Sequence, residues 1–378
     1  MSKNIYIPSN IGIGLLGIAY NLGSDYEIEG ARGTHHLMEH LMCKTFDDML
    51  PKLTRLGINH NAYTSNNKVV FHFSGLDESL ALVAKEVYDT ITSGNYAWSE
   101  ESFENEKATV LQEYEDVFNE QVEGTIVNIL RKHYRYYDPI GNRADIEKFS
   151  YEDSLKSRSL FTNPDMVCQV GIQHLILPEN KLVTKLYQNC LAPCFTYSSG
   201  VDLEKIPKKK KFLGIFGDGG KTVVGLIHKD PIPKNKINQV AMVVRCLNDG
   251  LESPLLQEIR DKNGLSYFSI GDINILFGSG IINFASCTSN NQKNKLRDIY
   301  TKFFKGTLSR HISKQRFENC YDGMMITKKI CEKLPHEGVM RTVIEDSPFD
   351  GLESFTYKDA IGLLEEYFDI NNFAEFEY

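Results

Sequence analysis

The chain has 378 residues, 42% of them hydrophobic and 24% charged, and a formal net charge of −8. That length exceeds one ordinary compact domain, and the balance excludes a disordered chain. The acidic surplus argues against nucleic acid or an anionic membrane as a partner. Eight cysteines lie scattered without a framework spacing, which predicts free thiols and a reducing, cytoplasmic setting.

Taken in chain order, the opening Met-Ser-Lys-Asn-Ile-Tyr has no signal-peptide layout. The apolar stretch from Ile11 to Leu22 carries three glycines and is too short to span a bilayer, so residues Ile11–Asn21 read as a buried strand. Gly33–Lys44 reads as a helix with apolar Leu37, Met38, Leu41 and Met42, and Phe46 to Leu56 continues helically until Gly57. Asn61–Ser65 and Lys68–Ser74 read as a strand pair. Helices are expected from Asp77 to about Ser93 and from Ser99 to about Phe118, the second opened by the capping signal Ser99-Glu100-Glu101-Ser102. Ser198-Ser199-Gly200 and Pro207, with Lys208 to Lys211, read as a linker, and the basic run as a solvated one. Beyond it come a strand Val240–Cys246, a helix Pro254–Lys262 and paired strands Ser266–Leu276 and Gly280–Thr288. Helices follow from about 292 and 313.

The second half repeats the first. Ser99, Phe103, Glu104 and Asn105 recur as Ser313, Phe317, Glu318 and Asn319, and Phe149-Ser150-Tyr151-Glu152-Asp153 recurs as Phe355-Thr356-Tyr357-Lys358-Asp359. Val87-Tyr88 matches Ile299-Tyr300 ahead of both. Three matches in one order, with similar offsets, indicate a duplicated unit and an α+β fold. The units are set at residues 1–200 and 212–378, the break falling in the linker.

The chemistry centres on His36-Leu37-Met38-Glu39-His40. Residues four apart on a helix share one face, so both imidazoles can reach one tetrahedral cation. Glu39 lies beside that face, near enough to take a proton from a water on the metal. His-x-x-Glu-His is the inverted form of the common zinc-peptidase motif. Such a site needs a third protein ligand and one open position. The helix after Ser99 offers Glu101, Glu104, Glu106, Glu113 and Glu115, of which Glu106 and Glu113 are two turns apart on one face. His35 falls outside the motif's frame and reads as a helix-start polar residue. Cys190 and Cys194 have no second pair beside them to complete a metal knuckle.

These residues resemble the pitrilysin, insulin-degrading enzyme and mitochondrial processing peptidase family of zinc metallopeptidases. The likeness runs through Leu22-Gly23-Ser24, Gly33-Thr34-His35-His36-Leu37-Met38-Glu39-His40, Asn61-Ala62-Tyr63-Thr64-Ser65 and Glu106 with Val110-Leu111-Gln112-Glu113. Asn163-Pro164-Asp165-Met166-Val167 resembles the closing strand of the family's first unit, and the second half matches from Ser253-Pro254-Leu255 to Ser266-Tyr267. The resemblance implies two homologous units forming a half-clamshell, each a mostly antiparallel sheet with helices on one face. It implies zinc held by His36, His40 and Glu113, with Glu106 in support. It also implies an edge strand, Asn61, Ala62, Tyr63 and Thr64, that pairs with extended substrate, and Arg260 and Tyr267 as substrate contacts, one or the other of which stabilises the oxyanion. The implied activity is endopeptidase cleavage of peptides or unfolded segments, with Glu39 as general base on zinc-bound water. The implied partner is a second chain, in a homodimer or a heterodimer with a related chain. The rival reading is a non-catalytic scaffold or assembly subunit of the same fold. Two departures are expected: a short N-terminal segment without the family's opening strand and its Asn-Gly turn, and a compact second half.

Overall fold

A computed structural model describes residues 3–7, 11–96, 98–119, 121–134, 138–171, 220–276, 278–333 and 349–377. The linker, the junction between the expected units, and Cys190 and Cys194 lie outside the described residues.

The chain packs as two compact units, and they are not contiguous in sequence. The first takes the described residues up to Asp116, those from 138 to 171, and the end of a helix from Lys329. Its sheet has the order β1-β5-β2-β4-β3. The strands are β1 (Lys3–Ile7), β2 (Ile13–Tyr20), β3 (Asn59–Thr64), β4 (Val69–Leu76) and β5 (Met166–Val170). Among the described strands only the β1–β5 pairing is parallel. An opening strand is therefore present where the sequence reading expected none. Backbone pairing to β5 supplies it, without any need for an alternating side-chain pattern.

Helices α1 (Thr34–Lys44), α2 (Leu50–Arg55), α3 (Asp77–Ala81), α4 (Ala84–Thr92) and α5 (Glu100–Asn119) follow in the same half of the chain. Leu37, Met38, Leu41 and Met42 recur with helical spacing and are all buried in one core with Leu16, Ile18, Phe71 and Phe73 of the sheet. That fixes α1's rotation and leaves His36 and His40 on its flank. Phe103 and Val110 bury the inner stripe of α5 in the same core. They align Glu106 and Glu113 along that stripe.

Helix α6 (Gln121–Tyr134) belongs to the second unit, where Ile126, Ile129 and Leu130 pack on Val223, Ile227 and Ile281. Helices α7 (Arg143–Lys148) and α8 (Tyr151–Ser157) return to the first. The second sheet has the order β7-β8-β6-β9, wholly antiparallel. It is built from β6 (Lys221–His228), β7 (Ile270–Leu276), β8 (Ser279–Ser289) and β9 (Phe373–Glu377). This is the order β3-β4-β2-β5 of the first sheet in new strands. Helices α9 (Ile237–Asn248), α10 (Pro254–Leu256), α11 (Lys293–Phe303) and α12 (Lys314–Lys333) accompany it, with a closing helix Tyr357–Tyr367.

The repeated residues make the same bonds in both units. Ser99 Oγ accepts from the Ser102 amide at 3.0 Å, and Ser313 Oγ from the Arg316 amide at 3.1 Å. Ser150 with Asp153 and Thr356 with Asp359 form reciprocal capping boxes. Tyr151 donates to the Trp98 carbonyl at 3.2 Å and Tyr357 to the Ile312 carbonyl at 2.9 Å.

One expected strand is a helix. Val240–Cys246 lies inside α9, and β6 fills the sheet position instead. The β-branched run suggests a strand, but Val240, Met242, Val243, Val244, Cys246 and Leu247 are all buried, and enclosure on several sides erases the polar periodicity that marks a helix. The expected helix Pro254–Lys262 begins as α10 and widens into a π turn over Gln257–Asp261, where the Lys262 amide reaches the Gln257 carbonyl at 3.0 Å.

Candidate metal centre

The centre begins with the way α1 starts. Gly33, its N-cap, has φ 88°, in the left-handed region. A Cβ there would stand 2.9 Å from the Gly141 Cα and 2.9 Å from Ile146 Cδ1. The Glu27 carboxylate caps the helix, accepting from the Gly33 amide at 2.8 Å and the His35 amide at 2.7 Å. Burial pushes the Glu27 carboxyl up to about 7, against the pull of those two amides. His35 is thus part of the helix start, its Nδ1 3.3 Å from the Gly23 carbonyl.

One turn on, the rings of His36 and His40 lie edge to face with centroids 4.8 Å apart. Glu113 reaches both from α5: one oxygen is 3.5 Å from His36 Nε2 and the other 3.6 Å from His40 Nε2. Two ligands about 2.1 Å from a tetrahedral ion stand roughly 3.4 Å apart, so these separations are those of donors around one zinc-sized cation. Burial, with the neighbouring His40, holds His36 down to about 3, in the neutral form that ligates a metal. Its Nδ1 is buried and has no hydrogen-bond partner among the described residues. His40 Nδ1 instead meets Glu106 Oε2 at 3.1 Å, which turns Nε2 towards Glu113. Glu106 Oε1 takes the Lys44 ammonium at 3.0 Å, a contact that raises the lysine above its ordinary range.

Glu39 is buried beside the two histidines, and the donor atoms of His36, Glu39 and His40 lie within 4.8 Å of one another. Burial pushes its carboxyl up to about 7, and His40 and the Thr64 hydroxyl oppose the rise. Thr64 Oγ1 donates to Glu39 Oε2 at 3.2 Å. Thr64 ends β3, the edge strand that also carries Asn61, Ala62 and Tyr63. Among the described residues β3 pairs only with β4. The Ala62 amide donates to its neighbour's Asn61 Oδ1 at 2.9 Å. The Glu113 side chain is 43% exposed, against 13% and 17% for His36 and His40, so the cluster opens on the Glu113 side.

The structure thus gathers His36, Glu39, His40, Glu106, Glu113 and Thr64 in the first unit. Arg260 and Tyr267 meet each other in the second: the guanidinium lies 4.8 Å from the centre of the tyrosine ring, which is 78% exposed. Sequence reasoning passed over Glu27 and Lys44. Lys44 carried a signal, being four residues after His40 on a face already assigned to chemistry. Glu27 carried none, since its role depends on a turn that the sequence does not announce.

Two imidazoles and a carboxylate converging from two helices, with a buried carboxylate alongside, suit a zinc site of the hydrolase kind. The sequence model of the family "Insulinase (Peptidase family M16)" matches residues 13–142. An uncharacterized zinc protease of Rickettsia bellii is 23% identical over 77% of this chain and 71% of its own. The beta subunit of the rat mitochondrial-processing peptidase is 28% identical over 29% of this chain, a match that spans 23% of that subunit. Among solved structures, a protease from Helicobacter pylori superposes with a TM-score of 0.73 at 16% identity, covering 100% of this chain and 98% of that one. A peptidase M16 inactive domain from Pseudomonas fluorescens does so at 0.67 and 13%, covering 100% and 95%. Residues 13–142 thus match the insulinase family, peptidase M16, and the described residues have an α+β fold like that of these solved structures.

Proposed function

We propose that the protein is a zinc-dependent endopeptidase acting on peptides or unfolded segments. The observation that carries this reading is the approach of both Glu113 oxygens to the Nε2 atoms of His36 and His40, beside a buried Glu39. Zinc bound by these three residues would supply Lewis acidity, polarising the scissile carbonyl and acidifying water. Glu39 accepts the proton of the attacking water and passes it to the leaving amine, a role that suits a carboxyl raised to about 7. Thr64 holds the Glu39 oxygen in place. An extended peptide adds to the edge of β3 along Asn61, Ala62, Tyr63 and Thr64 by main-chain hydrogen bonds, a mode tolerant of side chains. Arg260 and Tyr267 contact substrate, and one or the other stabilises the developing oxyanion. In a pair of chains related by two-fold symmetry, identical or related, those of one chain would serve the cluster of the other. A cytoplasmic setting agrees with the free thiols of Cys43, Cys168, Cys246, Cys287, Cys320 and Cys331. No described helix is long and apolar enough to cross a membrane.

The fold shared with an inactive M16 domain keeps one alternative alive, a scaffold subunit without hydrolysis. Retention of Glu39, which is not assigned as a ligand, favours the enzyme. Zinc content decides the metal: about one ion per chain is expected from the donor count, and none in His36→Ala/His40→Ala. Stoichiometric zinc in that double variant would refute the site.

A further inference from the structure

We propose that Lys44 is a positioning residue for the metal centre, fixing Glu106 as the acceptor of His40 and keeping it from acting as a metal ligand. The inference rests on the zinc reading above and adds a residue that reading does not require. The face of α5 turned to α1 carries two glutamates of equal chemistry, Glu106 and Glu113, seven residues apart. Their chain positions alone do not say which one ligates. The structure separates them by partners. Both oxygens of Glu113 point at the imidazole Nε2 atoms, at 3.5 and 3.6 Å. The oxygens of Glu106 are divided, one 3.1 Å from His40 Nδ1 and the other 3.0 Å from Lys44 Nζ. His40 and Lys44 are one turn apart on α1, so a single helix face grips the Glu106 carboxylate at both ends.

The charge pattern gives the grip its purpose. Glu39, Glu106 and Glu113 crowd one small region, and among the described ion pairs Lys44 is the cation that meets them. The Glu106 oxygen beside His40 Nδ1 is placed to accept a hydrogen bond from it, which leaves Nε2 facing Glu113 and open to a metal. Without the ammonium, the Glu106 oxygen that it meets loses that contact, and the carboxylate is free to turn. His36 differs, since its buried Nδ1 has no such partner among the described residues. The second support is therefore concentrated on His40. A surface ion pair of no consequence would contribute little to stability and nothing to metal affinity.

The test measures zinc affinity of the full chain by competition with a chromophoric chelator, in Lys44→Met, Lys44→Arg, Glu106→Gln and Lys44→Met/Glu106→Gln. Outer-shell partners are typically worth about 10–100-fold in metal affinity, and Lys44 acts through one, so Lys44→Met should weaken zinc about 3–10-fold. Lys44→Arg should recover it to within about two-fold, because the guanidinium can take the same oxygen. In the Glu106→Gln background, Lys44→Met should add less than about two-fold. Undiminished affinity in Lys44→Met overturns the proposal, as does an equal loss with and without Glu106. Urea unfolding of the metal-free variants identifies a fold defect, and if Lys44→Met has one, Lys44→Gln takes its place under the same criteria. A wild-type chain that takes up no zinc would sink the zinc reading itself, an outcome distinct from wild-type binding that ignores Lys44.

Discussion

Replacing Gly33 by alanine tests how the metal helix is seated, and Gly30 supplies the control. Both glycines have left-handed backbones, φ 88° at Gly33 and 86° at Gly30. An alanine at either position costs roughly 1–2 kcal/mol of conformational strain. Only Gly33 meets anything: its added Cβ would stand 2.9 Å from the Gly141 Cα, which is backbone, whereas nothing lies within 4 Å at Gly30. Forced overpacking adds about 1–3 kcal/mol. Gly33→Ala should therefore cost about 2–5 kcal/mol and Gly30→Ala about 1–2, the strain being common to both. Because Gly33 is the N-cap of α1, relief of the clash must displace the start of the helix, three residues ahead of His36. Zinc affinity should fall with stability in Gly33→Ala and stay near wild type in Gly30→Ala. Urea unfolding followed by fluorescence of Trp98, which is buried in the first unit's core, reads the stability. Equal losses in the two variants would show that the Gly33–Gly141 approach does not hold α1.

Leu41→Ala removes a fully buried side chain from the core under α1 and should cost about 2–5 kcal/mol in the same unfolding measurement. Glu113→Gln should lose most bound zinc in metal analysis while far-ultraviolet circular dichroism stays unchanged, because the side chain is 43% exposed and packs no core. Mixing inactive Glu39→Gln chains with inactive Arg260→Ala/Tyr267→Phe chains should restore up to roughly a quarter of wild-type peptide cleavage if sites are shared across a two-fold pair. No recovery after demonstrated exchange of chains would refute sharing.

What could be read in the sequence was what local spacing determines. His36 and His40 share a helix face because they are four residues apart, and Glu106 and Glu113 because they are seven apart. The capping boxes at Ser150 and Thr356 were visible as a repeat before their hydrogen bonds were. What depended on tertiary packing was not legible. The run from Val240 to Cys246 satisfies strand and helix preferences alike, and only its enclosure in the second core makes it a helix. Helix α6 follows α5 in sequence yet packs with strands about a hundred residues further on, a choice without local signature. The Thr64–Glu39 bond joins an edge strand to a helix 25 residues away, so the sequence alone did not connect the two.

The most direct measurement is peptide cleavage by Glu39→Gln, with zinc content determined on the same sample. The amide keeps the size of the side chain and can still accept from Thr64, but it cannot accept a proton. The expected result is about one zinc per chain with cleavage reduced by roughly 10²–10⁴-fold, the usual contribution of a general base. A Glu39→Gln protein that binds zinc and cleaves peptides at the wild-type rate would contradict the account.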